Sequence, residues 1–114
     1  SLFINEIFKI IFLKKKIIRT KKLDDYEYKP SFIKIDIEGH ELECIKGAIE
    51  TIKKSNPILM IEYDKKICDK INHILKNYKY NAFIYNKFEK KIEKFNNQKV
   101  FNIFFIHAKY LRYI

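Results

Sequence analysis

From Pro30 onward the chain switches between two hydrophobic periods, and the switches mark its elements. Residues 32–37 (FIKIDI) have period two: Ile33, Ile35 and Ile37 fall on one side of a pleat, Lys34, Asp36 and Glu38 on the other. Gly39 breaks this run and permits a sharp turn. From Glu41 the period lengthens. Leu42, Ile45, Ile49 and Ile52 recur at spacings of three and four, which predicts one helix over 41–54. Glu41 and Glu43 near its start, with Lys53 and Lys54 near its end, suit the helix dipole. After Pro57, residues 58–61 are continuously apolar, as expected of a strand covered on both faces. A second helix pattern follows, with Ile67, Ile71, Ile74, Leu75 and Tyr78 on one side and Asp64 placed as its N-cap.

Strand, helix, strand, helix with short links predicts βαβ units around a parallel sheet. Residues 80–85 and 100–107 are further strand candidates. Between them, 86–98 is highly charged, and Phe88, Ile92 and Phe95 are spaced for one short helix or a ragged loop. Without a long crossover helix, the last two strands are expected to be antiparallel neighbours. Residues 2–13 are apolar without a clean period, and 17–20 read as an edge strand. The expected fold class is α/β, in one domain with an upstream segment (1–29), a central block (30–64) and a C-terminal helix with strands (65–114).

Composition narrows the partners. With 114 residues, 47% hydrophobic and 16% aromatic, the chain has enough apolar content for one core and is not of the disordered class. It has 2 glycines, against a usual share of ~7%, so it carries no glycine-rich phosphate loop of its own. The net charge of +10 invites a nucleic-acid reading. Yet every basic residue except Arg19 and Arg112 is lysine, whereas readers of bases and phosphates favour arginine's bidentate fork. A solvated basic surface is therefore expected, and no nucleic-acid partner. Cys44 and Cys68 lack CxxC spacing and lie in helical patterns, which reads as small buried residues in a reducing, cytoplasmic setting with no metal. No stretch reaches the ~18 apolar residues of a membrane span. The lysines that follow the apolar run 7–13 are on the wrong side for a secretory signal. The first residue is Ser, and the chain is expected to begin inside a longer protein.

Chemistry concentrates at two strand ends. Parallel strands end at one edge of their sheet, and ligands bind in the crevice outside it. Asp36 and Glu38 follow the first strand; Glu62 and Asp64 follow the second. Two residues along one pleat face are ~6.6 Å apart, so Asp36 and Glu38 act as a pair. Converging carboxylates raise one another's pKa and hold hydroxyls, an ammonium group or a metal. Asp64 is read as a helix cap, Asp36 and Glu38 as catalytic, and Gly39, His40 and Glu62 as substrate-binding. Imidazole is the side chain suited to proton transfer near neutral pH, so His40 is a candidate general base as well. His73 and His107 are read as structural.

The block SFIKIDIEGHELECIKGAIETIKKSNPILMIEYD resembles the signature of FkbM-type methyltransferases, a KIDxEGxExxxLKGA motif followed by a helix and a Pro-led strand ending in Glu. The matching residues are Lys34, Ile35, Asp36, Glu38, Gly39, Glu41, Lys46, Gly47, Ala48, Pro57 and Glu62. Leu23-Asp24-Asp25 resembles the LDD element that precedes the motif, and NIFFIH from Asn102 resembles the family's closing strand. The resemblance implies a class I methyltransferase that uses S-adenosylmethionine on a seven-stranded Rossmann-like sheet. In that sheet FIKIDI is the fourth strand, PILMIEY the fifth and the terminal pair the sixth and seventh, the seventh antiparallel. It also implies that the glycine-rich cofactor loop and the acid after the second strand are missing, so this chain corresponds to the C-terminal half. The implied acceptor is a small molecule or glycan hydroxyl. An unfinished sheet edge would then favour self-association. Two other readings of the residues stand beside this one. Asp36-x-Glu38 could hold Mg²⁺ or Mn²⁺ in a glycosyltransferase-like enzyme, or the chain could be a catalytically silent remnant or basic binding module.

Overall fold

The computed structural model describes residues 21–114. The apolar stretch 2–13, with the run 7–13 inside it, and the edge strand expected at 17–20 lie outside the described residues. Five strands form one sheet in the order β1-β2-β5-β3-β4: β1 (Phe32–Ile35), β2 (Ile58–Glu62), β3 (Tyr80–Asn86), β4 (Lys91–Lys94) and β5 (Asn102–His107). β1 and β2 pair in parallel, with Ile33 opposite Leu59 and Ile35 opposite Ile61. β5 lies between β2 and β3, antiparallel to both. β3 therefore runs in the same direction as β1 and β2, and all three end at one edge. The parallel pair and the antiparallel terminal neighbours expected from the sequence are both present.

Helices cover one face of this sheet: α1 (Glu41–Lys46), α2 (Ile49–Ser55) and α3 (Lys65–Lys76). Ile33, Ile35, Leu59, Ile61, Ile103 and Phe105 pack with Ile45, Ile52, Ile71 and Leu75 in one buried cluster. Each such side chain contributes ~1.5–3 kcal/mol through removal from water. The Tyr80 hydroxyl donates to the Pro57 carbonyl at 2.6 Å inside the fold. That bond satisfies its polar atom and ties β3 to the start of β2. On the other face Phe32 and Lys34 are exposed, and Met60 and Phe104, a register pair, are only half-buried. The apolar run of β2 is therefore fully covered on one face, not on both.

The single helix expected over 41–54 is two helices, broken at Gly47-Ala48. In an unbroken helix the carbonyls of Lys46 and Gly47 would accept from the N–H groups of Glu50 and Thr51. Here the Gly47 carbonyl accepts from Asp24 N at 3.0 Å. The Asp24 carboxylate in turn accepts from Glu50 N (3.0 Å), Thr51 N (2.8 Å) and the Thr51 hydroxyl (2.8 Å). Asp24 lies in a short 3-10 turn, Leu23–Asp25, whose Leu23 is buried. A Cβ on Gly47 would come within 3.3 Å of the Lys22 side chain, so glycine permits this close approach. Periodicity within 41–54 contains no trace of a cap supplied from so far away.

The region 86–98 is neither a helix nor a ragged loop, because it contains β4. Asn86 Oδ1 accepts from the backbone of Phe88 (3.0 Å) and Glu89 (3.1 Å), which turns the chain back on β3. Lys90 adopts φ 53°, and β4 then pairs with β3, Phe83 opposite Lys94. Phe88 is 87% exposed and cannot anchor a helix.

Candidate active site

The β1–β2 ladder ends at Ile35 opposite Ile61, so Asp36 leaves one strand end while Glu62 closes the other. The pleat alternation continues past the ladder: Lys34, Asp36 and Glu38 are exposed, whereas Ile37 is buried. Asp36 and Glu62 thus stand side by side on the face turned away from the helices. Glu62 also lies opposite Asn102 of β5. Beyond Asp36 the chain turns sharply, with His40 N donating to the Ile37 carbonyl at 3.0 Å. Gly39 occupies the third turn position with φ 82°, as a type II turn requires. A Cβ there would meet nothing within 4 Å, so glycine is needed for its backbone alone.

The remaining sequence candidates divide by environment. His40 is half-buried just before α1 and gives no side-chain bond to that helix's free N–H groups. Asp64 Oδ1 accepts from Ile67 N at 3.1 Å and caps α3, as expected. His73 is exposed. His107 Nδ1 accepts from Lys109 N at 3.0 Å while its ring meets Tyr80 edge-on at 5.4 Å. Burial, then the charges of Lys109 and Lys79, lower its pKa, in keeping with a structural role. Both cysteines are buried free thiols. Desolvation pushes both thiols up, well away from a reactive thiolate. Among the described residues no group of three or more His, Cys, Asp or Glu side chains is arranged to hold a metal ion.

Glu41 was assigned from the sequence to the helix dipole and to the motif, but its burial was not foreseen. As the first residue of α1 it looks like a dipole partner, yet it is only 5% exposed. It belongs with Cys44 and Ile45 on the buried face of α1, at the i, i+3, i+4 positions. That placement of an acid within an apolar stripe was the available signal. Its Oε2 is buried without a hydrogen-bond partner. Desolvation raises its pKa above the ordinary 4.5, opposed by the backbone dipoles of Glu41 and Gly39 and reinforced by nearby Glu62 and Asp64.

The same sheet face carries a groove of about 520 Å³, lined by Asn102, the register partner of Glu62, but by none of Asp36, Glu38, Gly39, His40 and Glu62. Met60 and Phe104 line it together with Tyr85, Phe88 and Phe101, and Lys87 and Lys99 stand among its polar lining. Phe88 and Phe101 are 87% and 89% exposed. The groove and the strand-end carboxylates therefore share one face and one edge.

The Methyltransferase FkbM domain family matches residues 6–95, most of the chain. The chain belongs to the FkbM methyltransferase family. It is similar in structure to the methyltransferase FkbM from Methylobacillus flagellatus KT, with TM-score 0.51 and 26% sequence identity over 75% of this chain. The match spans 22% of that larger FkbM protein. No curated protein matches the chain. Among the described residues no helix is long and apolar enough to cross a membrane. Family membership supports a methyltransferase function over the glycosyltransferase-like reading of Asp36-x-Glu38.

Proposed function

We propose that this chain is the acceptor-side, C-terminal half of an S-adenosylmethionine-dependent methyltransferase acting on a hydroxyl of a sugar or secondary metabolite. One observation carries the reading. Asp36 and Glu62 stand together past the end of a parallel strand pair, on the face that also holds an aromatic groove. A volume near 520 Å³ falls within the ~300–1,000 Å³ range of small-molecule sites, and Phe88 and Phe101 offer flat surfaces to a ring.

The residues fit the cationic end of the family's cofactor. Within a chain of net charge +10, this edge gathers Asp36, Glu38 and Glu62, with the unpartnered Oε2 of Glu41 beneath them. When bound, the cofactor supplies an electrophilic methyl group on a cationic sulfur. The chain's own contribution is to hold the acceptor: Asp36 accepts the proton of the attacking hydroxyl, and Glu38 and Glu62 orient it. His40 and Gly39 form the turn that bounds the acceptor on the β1 side. Attack requires the reacting atoms ~3–3.5 Å apart and in line, so positioning supplies most of the catalysis.

Asp36→Asn in the full-length enzyme tests this. A proton acceptor contributes ~10²–10⁴-fold to the rate, whereas an exposed acid leaves stability within about ±0.5 kcal/mol. Single-turnover methyl transfer should therefore collapse while the melting temperature holds. Normal turnover in a folded Asp36→Asn enzyme would place the base elsewhere.

A further inference from the structure

After β5 the chain forms a 3-10 helix, Ala108–Tyr113, in which no residue is buried. Hydrogen bonds nonetheless fix it in place. Ala108 N donates to the Lys79 carbonyl at 2.8 Å, His107 Nδ1 accepts from Lys109 N at 3.0 Å, and Ile114 N donates to the Leu111 carbonyl at 3.2 Å. With three residues per turn, side chains three positions apart stand one above another. The sequence AKYLRYI therefore makes three stripes: Ala108, Leu111 and Ile114 aliphatic, Lys109 and Arg112 cationic, Tyr110 and Tyr113 aromatic. Each cation lies over the ring that follows it, Lys109 over Tyr110 at 5.0 Å and Arg112 over Tyr113 at 4.9 Å. Leu111, Tyr113 and Ile114 are 38%, 72% and 50% exposed.

The charge around this helix has one sign. His107 pairs with Tyr80, so the helix leaves the sheet at the edge where β3 starts, opposite the strand-end carboxylates. Lys79, exposed just before β3, shares that edge. Neither residues 70–88 nor residues 94–114 contain an Asp or a Glu. We propose that this surface docks on anionic lipid bilayers, with Leu111, Tyr113 and Ile114 entering the headgroup region while Lys79, Lys109 and Arg112 meet the lipid anions. A nucleic-acid backbone would use the cations and leave the aliphatic stripe in water. A bilayer boundary accepts all three stripes, because tyrosine rings, cations and aliphatic side chains each partition there. The helix lies on the bilayer, not across it. The proposal is independent of the methyl-transfer reading, and this orientation turns the edge with Asp36 and Glu62 toward water.

Co-sedimentation of the full chain with vesicles of equal parts phosphatidylcholine and phosphatidylglycerol tests this, and binding is expected there but not to pure phosphatidylcholine. One basic residue near an anionic surface is worth roughly fivefold in partition, so Lys109→Gln with Arg112→Gln should weaken binding about 25-fold. Lys66→Gln with Lys70→Gln removes the same charge from the exposed side of α3 and should cost far less. Tyr113→Ser with Ile114→Ser keeps the net charge and should also weaken binding, most visibly in high salt, where the Coulombic part is screened. The chain has no tryptophan, so Tyr113→Trp supplies a single reporter. Its emission should shift to the blue on anionic vesicles and be quenched by brominated lipid, whereas Phe88→Trp, past the opposite end of β3, should show neither change. All the substituted side chains are exposed, so the variants should keep the fold. Any of four results would overturn the proposal: no preference for anionic vesicles, equal losses from the two lysine-containing double variants, undiminished binding by Tyr113→Ser with Ile114→Ser, or release from vesicles by duplex RNA at equal phosphate.

Discussion

Asp36 and Glu41 are five positions apart and chemically alike, yet water sets them to opposite tasks. Asp36 is exposed past a strand end. Glu41 is buried at the start of a helix, and desolvation raises its pKa above the ordinary 4.5. The folded chain therefore binds a proton at Glu41 that the unfolded chain has released at the same pH. Where the folded state holds more protons, stability falls as pH rises. Melting temperature should thus decline as pH climbs from 4.5 through the raised value, and Glu41→Gln should abolish that part of the decline. Identical pH profiles for wild type and Glu41→Gln would show that Glu41 ionises in the fold without cost. Asp36, Glu38 and Glu62 were legible in the sequence because a pleat alternates and parallel strands end together. Glu41 was not, because an acid in a first helical turn already has an ordinary explanation.

At the scale of elements, the strands and α3 followed from local period, while the break between α1 and α2 depended on a distant side chain. Asp24 provides three hydrogen bonds to the start of α2, two from backbone N–H groups and one from Thr51. Loss of a capping acid costs ~0.5–2 kcal/mol. Asp24→Ala should fall at the upper end of that range and speed amide exchange at Glu50 and Thr51, whereas Asp24→Asn should recover much of the loss. Exchange at those two amides unchanged in Asp24→Ala would mean that α2 starts without this cap. The LDD element and Gly47 of the family motif thus acquire a structural purpose, separate from Asp36 and Glu38. β4 was illegible for a different reason. Its four residues, KIEK, alternate weakly and bury little, so its pairing depends on the Asn86 turn rather than on a hydrophobic face.

At the scale of the whole molecule, the described sheet has one side packed on helices and the other partly open, with Phe32 and Lys34 exposed there but Phe83 and Ile106 buried. Among the described residues β1 pairs only with β2 and lies at the end of the sheet. On the proposed reading, much of a cofactor's adenosine moiety would be held by parts corresponding to those of the similar FkbM protein that the 22% match does not span. Isolated chain should therefore bind S-adenosylmethionine only weakly, at about millimolar affinity or worse, and calorimetric titration giving micromolar affinity would contradict the half-domain reading.

The same open surfaces predict how the chain behaves with its own copies. Exposed apolar side chains recruit other apolar surfaces, and here they include Phe32 on β1 and Phe88 and Phe101 at the groove. A net charge of +10 opposes that association. The repulsion is screened by salt, since the Debye length falls from ~30 Å at 0.01 M to ~3 Å at 1 M ionic strength, whereas apolar contact is not weakened by salt. Sedimentation velocity should therefore show mostly monomer in dilute buffer and growing association as salt and protein concentration rise. The sign of the salt effect separates this mechanism from ion-pair assembly, which salt would dissolve. An added charge at the edge, Phe32→Lys, should shift the transition to higher salt, because it removes an apolar contact and strengthens repulsion at the same strand. A chain that stays monomeric at high concentration in high salt would mean that the β1 edge and the groove are covered in solution.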